Sequence, residues 1–210
     1  MRRPRSTWSL ETLGRTRLSK YFYMREFLYS EIGNIHRIPN IPDRPDLAIE
    51  RGRAFCAALL DPMEETFGRV AVRSGYRSAA LNAFGNRHKL NCARNDYPQE
   101  CHIWDLTDVP VAGASIVIPW FADQYDRGRD WLDLAWWIHD HLPYSELWFF
   151  PKLCAFNISW RPDPWRMISS YIAPRGTLLG RGAEPSETLA ERQRRYADFP
   201  PLGTLRLPDC

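Results

Sequence analysis

Phe55, Leu59, Met63 and Phe67 recur at four-residue intervals behind the cluster Asp43-Arg44-Pro45-Asp46, which predicts one helix with a single buried face. Pro62 is expected to kink or end that helix, and Gly68 to stop it before the apolar strand Val70-Ala71-Val72. The strand runs into Arg73-Ser74-Gly75-Tyr76-Arg77-Ser78, a turn whose Arg77 presents a planar fork of donors to an anionic or carbonyl-bearing ligand. A second short helix is expected over 79–84. Helix, strand, glycine turn and helix in that order commit the chain to a mixed fold. Its 210 residues, 44% apolar and 13% aromatic, suffice for one sizeable core.

Beyond that unit, 85–110 is polar and punctuated by Asn, Asp and Pro, which reads as a long ordered loop. A short strand is expected over 114–121, ended by Pro119-Trp120, and a helix over 129–141 from the spacing of Trp131, Leu134, Ala135 and Ile138. The aromatic and β-branched runs 146–150 and 155–160 flank Pro151-Lys152 and predict a hairpin. After Ile172 the composition shifts to Gly, Pro, Arg and Glu, predicting a mostly irregular tail with one exposed helix over 186–196. The expectation is an α+β fold: a small antiparallel sheet flanked by helices, with irregular N- and C-terminal extensions. Its parts are a basic arm (1–17), a folded domain (18–172) and a Pro/Gly/Arg-rich tail (173–210).

The net charge is only +3, and its basic excess sits in the first twenty residues: Arg2, Arg3, Arg5, Arg15, Arg17 and Lys20 against Glu11. No helix-turn-helix or zinc-finger pattern accompanies them, so a nucleic-acid partner ranks last and the arm reads as a solvated tail. No stretch reaches the roughly 18 apolar residues that a membrane span needs, and no apolar segment of secretory type follows the N-terminal arginines. Five cysteines, Cys56, Cys92, Cys101, Cys154 and Cys210, are odd in number and irregular in spacing, which argues against a disulfide framework and for a reducing cytosol.

The order Leu18-Ser19-Lys20-Tyr21-Phe22-Tyr23-Met24-Arg25-Glu26-Phe27, Ser30, Asn40-Ile41-Pro42, helix, strand and Arg73–Ser78 turn resembles the zinc D-Ala-D-Ala carboxypeptidase family. These are cell-wall peptidases whose fold is shared with the hedgehog signalling domain, and the resemblance spans 18–172. It implies that Arg77 binds or polarises substrate. The family also carries Ser-x-His-x-x-Gly-x-Ala-x-Asp for two zinc ligands, then a Glu as general base and a Trp-x-His for the third ligand. His102 matches the first ligand, but the Asp expected seven positions on is Val109, leaving Asp105 or Asp108 to substitute. If the intervening residues are an insertion, Gly113-Ala114-Ser115-Ile116-Val117 takes the motif's place and Val117 replaces the Asp. Asn157 falls where the third ligand belongs, and Glu146 is the carboxylate nearest the general base position.

The site expected from the resemblance is therefore Arg77 and Glu146 as catalytic groups, with His102, Asp105 and Asp108 around a zinc ion. A catalytic zinc takes three protein ligands and one water, and an amide such as Asn157 is a poor ligand beside imidazole and carboxylate. His88, Cys92, Cys101 and His102 carry the ligand types of a structural zinc site but lack Cys-x-x-Cys spacing; a Cys92–Cys101 disulfide and two free thiols are the other readings. His139 and His141 read as surface or capping residues. Trp136, Trp137, Trp148 and Trp160 read as core or sheet-face aromatics, with sugar stacking as the minor alternative. Two functions follow. One is a zinc-dependent peptidoglycan D,D-peptidase, reaching the wall by host lysis or on a phage-like particle. The other is a catalytically inactive peptidase-fold module that binds peptidoglycan or another cell-surface glycan, or assembles with virion proteins or further copies of itself.

Overall fold

The computed structural model of the chain describes residues 1–204, and most of its helices begin where a side chain or a proline relieves unpaired backbone amides. Ser6 caps α1 (Thr7–Gly14) in a reciprocal box with Ser9, and Ser30 caps α3 (Glu31–His36), which follows the single turn α2 (Arg25–Leu28). α4 (Pro45–Phe55) opens on a proline, whose missing N–H costs nothing in a first turn. Pro62 does not end the helix as expected. One π-helical turn, Cys56–Leu60, precedes α5 (Asp61–Phe67), and Pro62 sits in the first turn of α5, where no hydrogen bond from its nitrogen is required. Gly68 closes α5 at φ 79°, its amide bonded to the Glu64 carbonyl.

β1 (Ala71–Ser74) leads through the Gly75-Tyr76-Arg77 turn into α6 (Ala79–Arg87), capped by Ser78. After a long loop come β2 (Ala112–Val117), α7 (Pro119–Tyr125) and α8 (Trp131–His141). β3 (Glu146–Phe149) and β4 (Phe156–Trp160) form the expected hairpin. β5 (Met167–Ser170), β6 (Gly176–Leu179) and α9 (Leu189–Arg195) complete the described chain. The strands form one six-stranded sheet in the order β1-β2-β4-β3-β5-β6, antiparallel at every pairing except β3 with β5.

Register divides the sheet into two faces. Ala114, Ile158, Leu147 and Ile168 stand in one cross-strand row, and Ile116, Phe156 and Phe149 in the next; all are buried in the main core. The alternate rows are Gly113, Ser159 and Glu146, then Ser115, Asn157 and Trp148. Because side chains alternate along a strand, these polar rows occupy the opposite face.

The chain's ends are packed rather than free. The tail is irregular over most of its described length, as expected, yet it is not loose: β6 pairs with β5 at the edge of the sheet, and Leu179, Tyr196 and Phe199 are buried in the core. α9 is docked rather than free, with Arg192 paired to Asp140 at 2.7 Å. The basic arm is likewise tied down, with Leu13 fully buried and Arg3 paired to Asp43 at 3.0 Å. Trp136 and Trp137 lie in the core. Among the described residues no helix is long and apolar enough to cross a membrane. Cys210 lies outside the described residues.

Candidate functional site

The polar face of the sheet floors a cavity of about 1050 Å³, walled by the Arg77 turn and the loop between α6 and β2. That loop is ordered by side chains. Fully buried Asn82 donates to the Ala93 carbonyl at 2.9 Å, and Asn86 to the Cys92 carbonyl at 2.8 Å. Farther on, Trp104 Nε1 donates to the Gly113 carbonyl at 3.0 Å, and Arg51 to the carbonyls of Trp104 and Thr107. Buried backbone acceptors thus find partners without a strand or helix.

Arg77, His102 and Glu146 all line this cavity. The Arg77 amide donates to the His102 carbonyl at 2.8 Å, which fastens the turn to the loop. The Arg77 guanidinium is held by Asn82 Oδ1 at 3.2 Å and Ser74 Oγ at 3.1 Å, and it has no carboxylate partner among the described residues. His102 Nδ1 lies 2.8 Å from the Gly75 carbonyl. A carbonyl only accepts, so Nδ1 carries the proton and Nε2 is the free acceptor of the ring. Burial, with the Arg77 charge adding to it, lowers the His102 pKa to about 3 and keeps the imidazole neutral.

Glu146 is a second tuned group. Burial raises its carboxyl to about 7, against the opposing pull of Arg161, whose guanidinium is 3.9 Å away. Glu100 also lines the cavity and is raised by burial, while its Oε1 accepts from the His102 amide at 2.7 Å. The site thus offers a cation for an anionic group, a neutral acceptor, and a carboxyl that exchanges its proton near neutral pH.

Asp105 and Asp108 are not brought to it. Asp105 is buried outside the cavity lining, with one carboxylate oxygen accepting from Tyr76 Oη at 2.8 Å and the other from the Arg44 amide at 2.8 Å. Asp108 is at the surface, its side chain 96% exposed and paired with Arg44 at 2.9 Å. Val109 is also exposed, and Val117 packs in a small apolar cluster with Ala122 and Ala155. Asn157 does lie in the cavity, directly across from Ser115. Besides His102 the cavity wall carries Ser115 and Asn157, poor partners for zinc, together with the carboxyls of Glu100 and Glu146 and the thiols of Cys92 and Cys101. Among the described residues no three His, Cys, Asp or Glu side chains form a group able to hold a metal. The ligand set expected from the resemblance, His102 with Asp105 and Asp108, is therefore not assembled.

Cys92 and Cys101 are buried free thiols. Exposed His88 stacks on Phe84 at 4.1 Å. His139 bonds Tyr144 Oη through Nδ1 at 2.9 Å, and burial lowers it to about 4. His141 Nδ1 lies 2.9 Å from the Trp137 carbonyl. Sequence reasoning missed Glu100, Ser115, Ser159 and Tyr171 as cavity residues. For Ser159 the signal was present, since polar residues alternate with apolar ones in 157–161; Ser115 is the single polar residue of 113–117 and carries no such pattern. No protein family, curated protein or solved structure matched the chain when it was compared with them.

Proposed function

We propose that this chain is a metal-independent binding module with the fold of the D-Ala-D-Ala carboxypeptidases and the hedgehog domain. Its cavity receives the carboxylate end of a peptidoglycan stem peptide. The observation that carries this reading is the Arg77 guanidinium, hydrogen-bonded in the cavity wall to neutral groups and with no carboxylate within ion-pair distance among the described residues, Glu100 feeling its charge from farther off. A fixed guanidinium fork matches a carboxylate in a bidentate, charge-assisted pair. His102 supports the reading as a neutral acceptor for a ligand amide, since its Nε2 makes no hydrogen bond among the described residues. Binding without cutting suits a component carried on a phage-like particle or released by lysis.

The test is calorimetric titration of a stem peptide ending in D-Ala-D-Ala, alongside mass spectrometry of the peptide after incubation with and without added zinc. Binding that falls about ten- to a hundredfold in Arg77→Gln, with the peptide left intact, is the expected result. Hydrolysis that requires one zinc per chain would replace this reading with the zinc D,D-peptidase. Failure to bind the peptide would overturn both.

A further inference from the structure

Buried polar atoms without partners concentrate at one end of the cavity. Among the described residues they are Glu146 Oε1, Trp148 Nε1, Ser159 Oγ and Arg161 Nε, with Arg51 Nε as the one outlier. Of the first four, Glu146, Trp148 and Ser159 line the cavity, with Glu146 directly opposite Ser159 and Trp148 two residues farther along β3; Arg161 follows the end of β4, outside the lining. Ser159 is 2% exposed and Arg161 8%. Leaving such groups without partners costs stability, and native proteins pair nearly all of them. Three together in a cavity floor mark a place where another polar molecule belongs.

The neighbouring wall is aromatic. The Tyr171 ring lies 5.4 Å from that of Trp148 and 5.6 Å from that of Phe150. Its backbone is pinned to β3 by a 2.9 Å bond to the Phe149 carbonyl, while the residue is 52% exposed. Arg161, 3.9 Å from Glu146, lies outside the cavity lining with its guanidinium on the Pro98 carbonyl at 2.7 Å and over the Trp165 ring at 4.2 Å, so it presents no charge to a ligand at this end. An uncharged molecule with one flat apolar face and several groups that both donate and accept meets all of these conditions. A pyranose ring has that chemistry.

We propose that the Trp148–Tyr171 end of the cavity is a subsite for one sugar ring of the wall glycan, stacked on the aromatic wall with its hydroxyls on Trp148 Nε1, Ser159 Oγ and Glu146. The inference rests on the reading of the cavity as a wall-ligand site, and it adds a sugar position apart from the Arg77 position. Because the floor atoms are closed to solvent, seating the ring requires a side-chain shift at the rim, where Tyr171 is exposed.

The probe is a tetramer of β-1,4-linked N-acetylglucosamine, which carries no peptide and no carboxylate. It is titrated into the full chain and into Trp148→Phe, Ser159→Ala and Tyr171→Ala, with thermal unfolding confirming that each variant is folded. Saturable binding to the native protein is expected, weakened about three- to tenfold by Trp148→Phe, which keeps an aromatic ring but removes the pyrrole ring with its N–H, and by Ser159→Ala, which removes only a hydroxyl. Tyr171→Ala, at the exposed rim, should weaken it similarly. Binding untouched by all three substitutions overturns the subsite. The free stem peptide is titrated in parallel: if it binds and the oligosaccharide does not, the sugar subsite alone fails; if neither binds, the wall-ligand reading fails with it.

Discussion

Glu146 retains its proton to about pH 7 because burial penalises the carboxylate more than Arg161 rewards it. An unfolded chain releases the same proton near pH 4.5. Between those two values the folded state binds more protons than the unfolded state, so this residue makes stability fall as pH rises, and above pH 7 the loss is complete. The shift corresponds to about 3 kcal/mol. Glu146→Gln removes the titration while keeping the shape, and it should raise stability toward that amount at pH 8 and leave it unchanged at pH 4. Urea unfolding at the two pH values checks this; an equal effect at both would mean that Glu146 ionises normally. His102 acts at the other end. Its pKa is lowered to about 3 from 6.5, so the stability it contributes is present above pH 6.5 and is lost as pH falls toward 3. His102→Gln should flatten that acid limb of the stability profile. At this scale Arg77 was singled out by the glycine turn together with the resemblance, and it does line the cavity. Asp105 was not, because its partners Tyr76 and Arg44 lie 29 and 61 residues away in sequence.

The glycines of single elements decide how closely the loop before β2 can lie on the sheet. A Cβ added to Gly113 would stand 2.7 Å from Cys101 Sγ and 2.7 Å from the Ile158 carbonyl oxygen, while the Gly113 carbonyl accepts from Trp104. Gly113 is thus where the loop carrying His102 meets the centre of the sheet. Gly113→Ala should cost about 1–3 kcal/mol through overpacking. In a Cys101→Ala background the cost should shrink without vanishing, since the sulfur is gone and the β4 backbone remains; a denaturant double-mutant cycle measures the difference. Independent effects of the two substitutions would show that Cys101 does not cover Gly113. Helical elements were easier to read than this contact. Phe55, Leu59, Met63 and Phe67 advance by four residues, which in a pure α-helix drifts about 40° per step. The π turn at Cys56–Leu60 lowers the winding and keeps all four buried. The same turn accommodates Pro62, which local rules read as a kink or a stop.

The whole molecule is held together by a segment whose composition resembles a loose tail. Pro174, Gly176, Gly180, Gly182 and Pro185 conceal two structural roles: β6 pairs with β5, and the segment around α9 returns to cover the helices. Short strands in a glycine-rich stretch carry little periodicity, and the segment around α9 docks on residues far from it in sequence, which local patterns cannot show. Arg195 reaches Glu187 at 2.7 Å and Asp133 at 3.3 Å, and Arg129 reaches Asp198 at 2.6 Å. Beneath these pairs Phe199 packs against Trp120 at 5.2 Å, Phe67 at 5.7 Å and Phe121 at 5.9 Å, with the Arg129 guanidinium 4.9 Å over its ring. It therefore closes the core formed by α5 and α7 from the far end of the chain. Surface ion pairs contribute at most about 1 kcal/mol each, so the aromatic contact decides whether the tail stays docked. Phe199→Ala should destabilise the protein by about 3–5 kcal/mol, as expected for emptying a buried aromatic site. Asp198→Ala, which removes only an exposed partner of Arg129, should cost about 1 kcal/mol or less. Thermal and urea unfolding of the two variants side by side checks the ranking. If the tail were an independent appendage, both substitutions would leave the transition of the remaining chain unchanged.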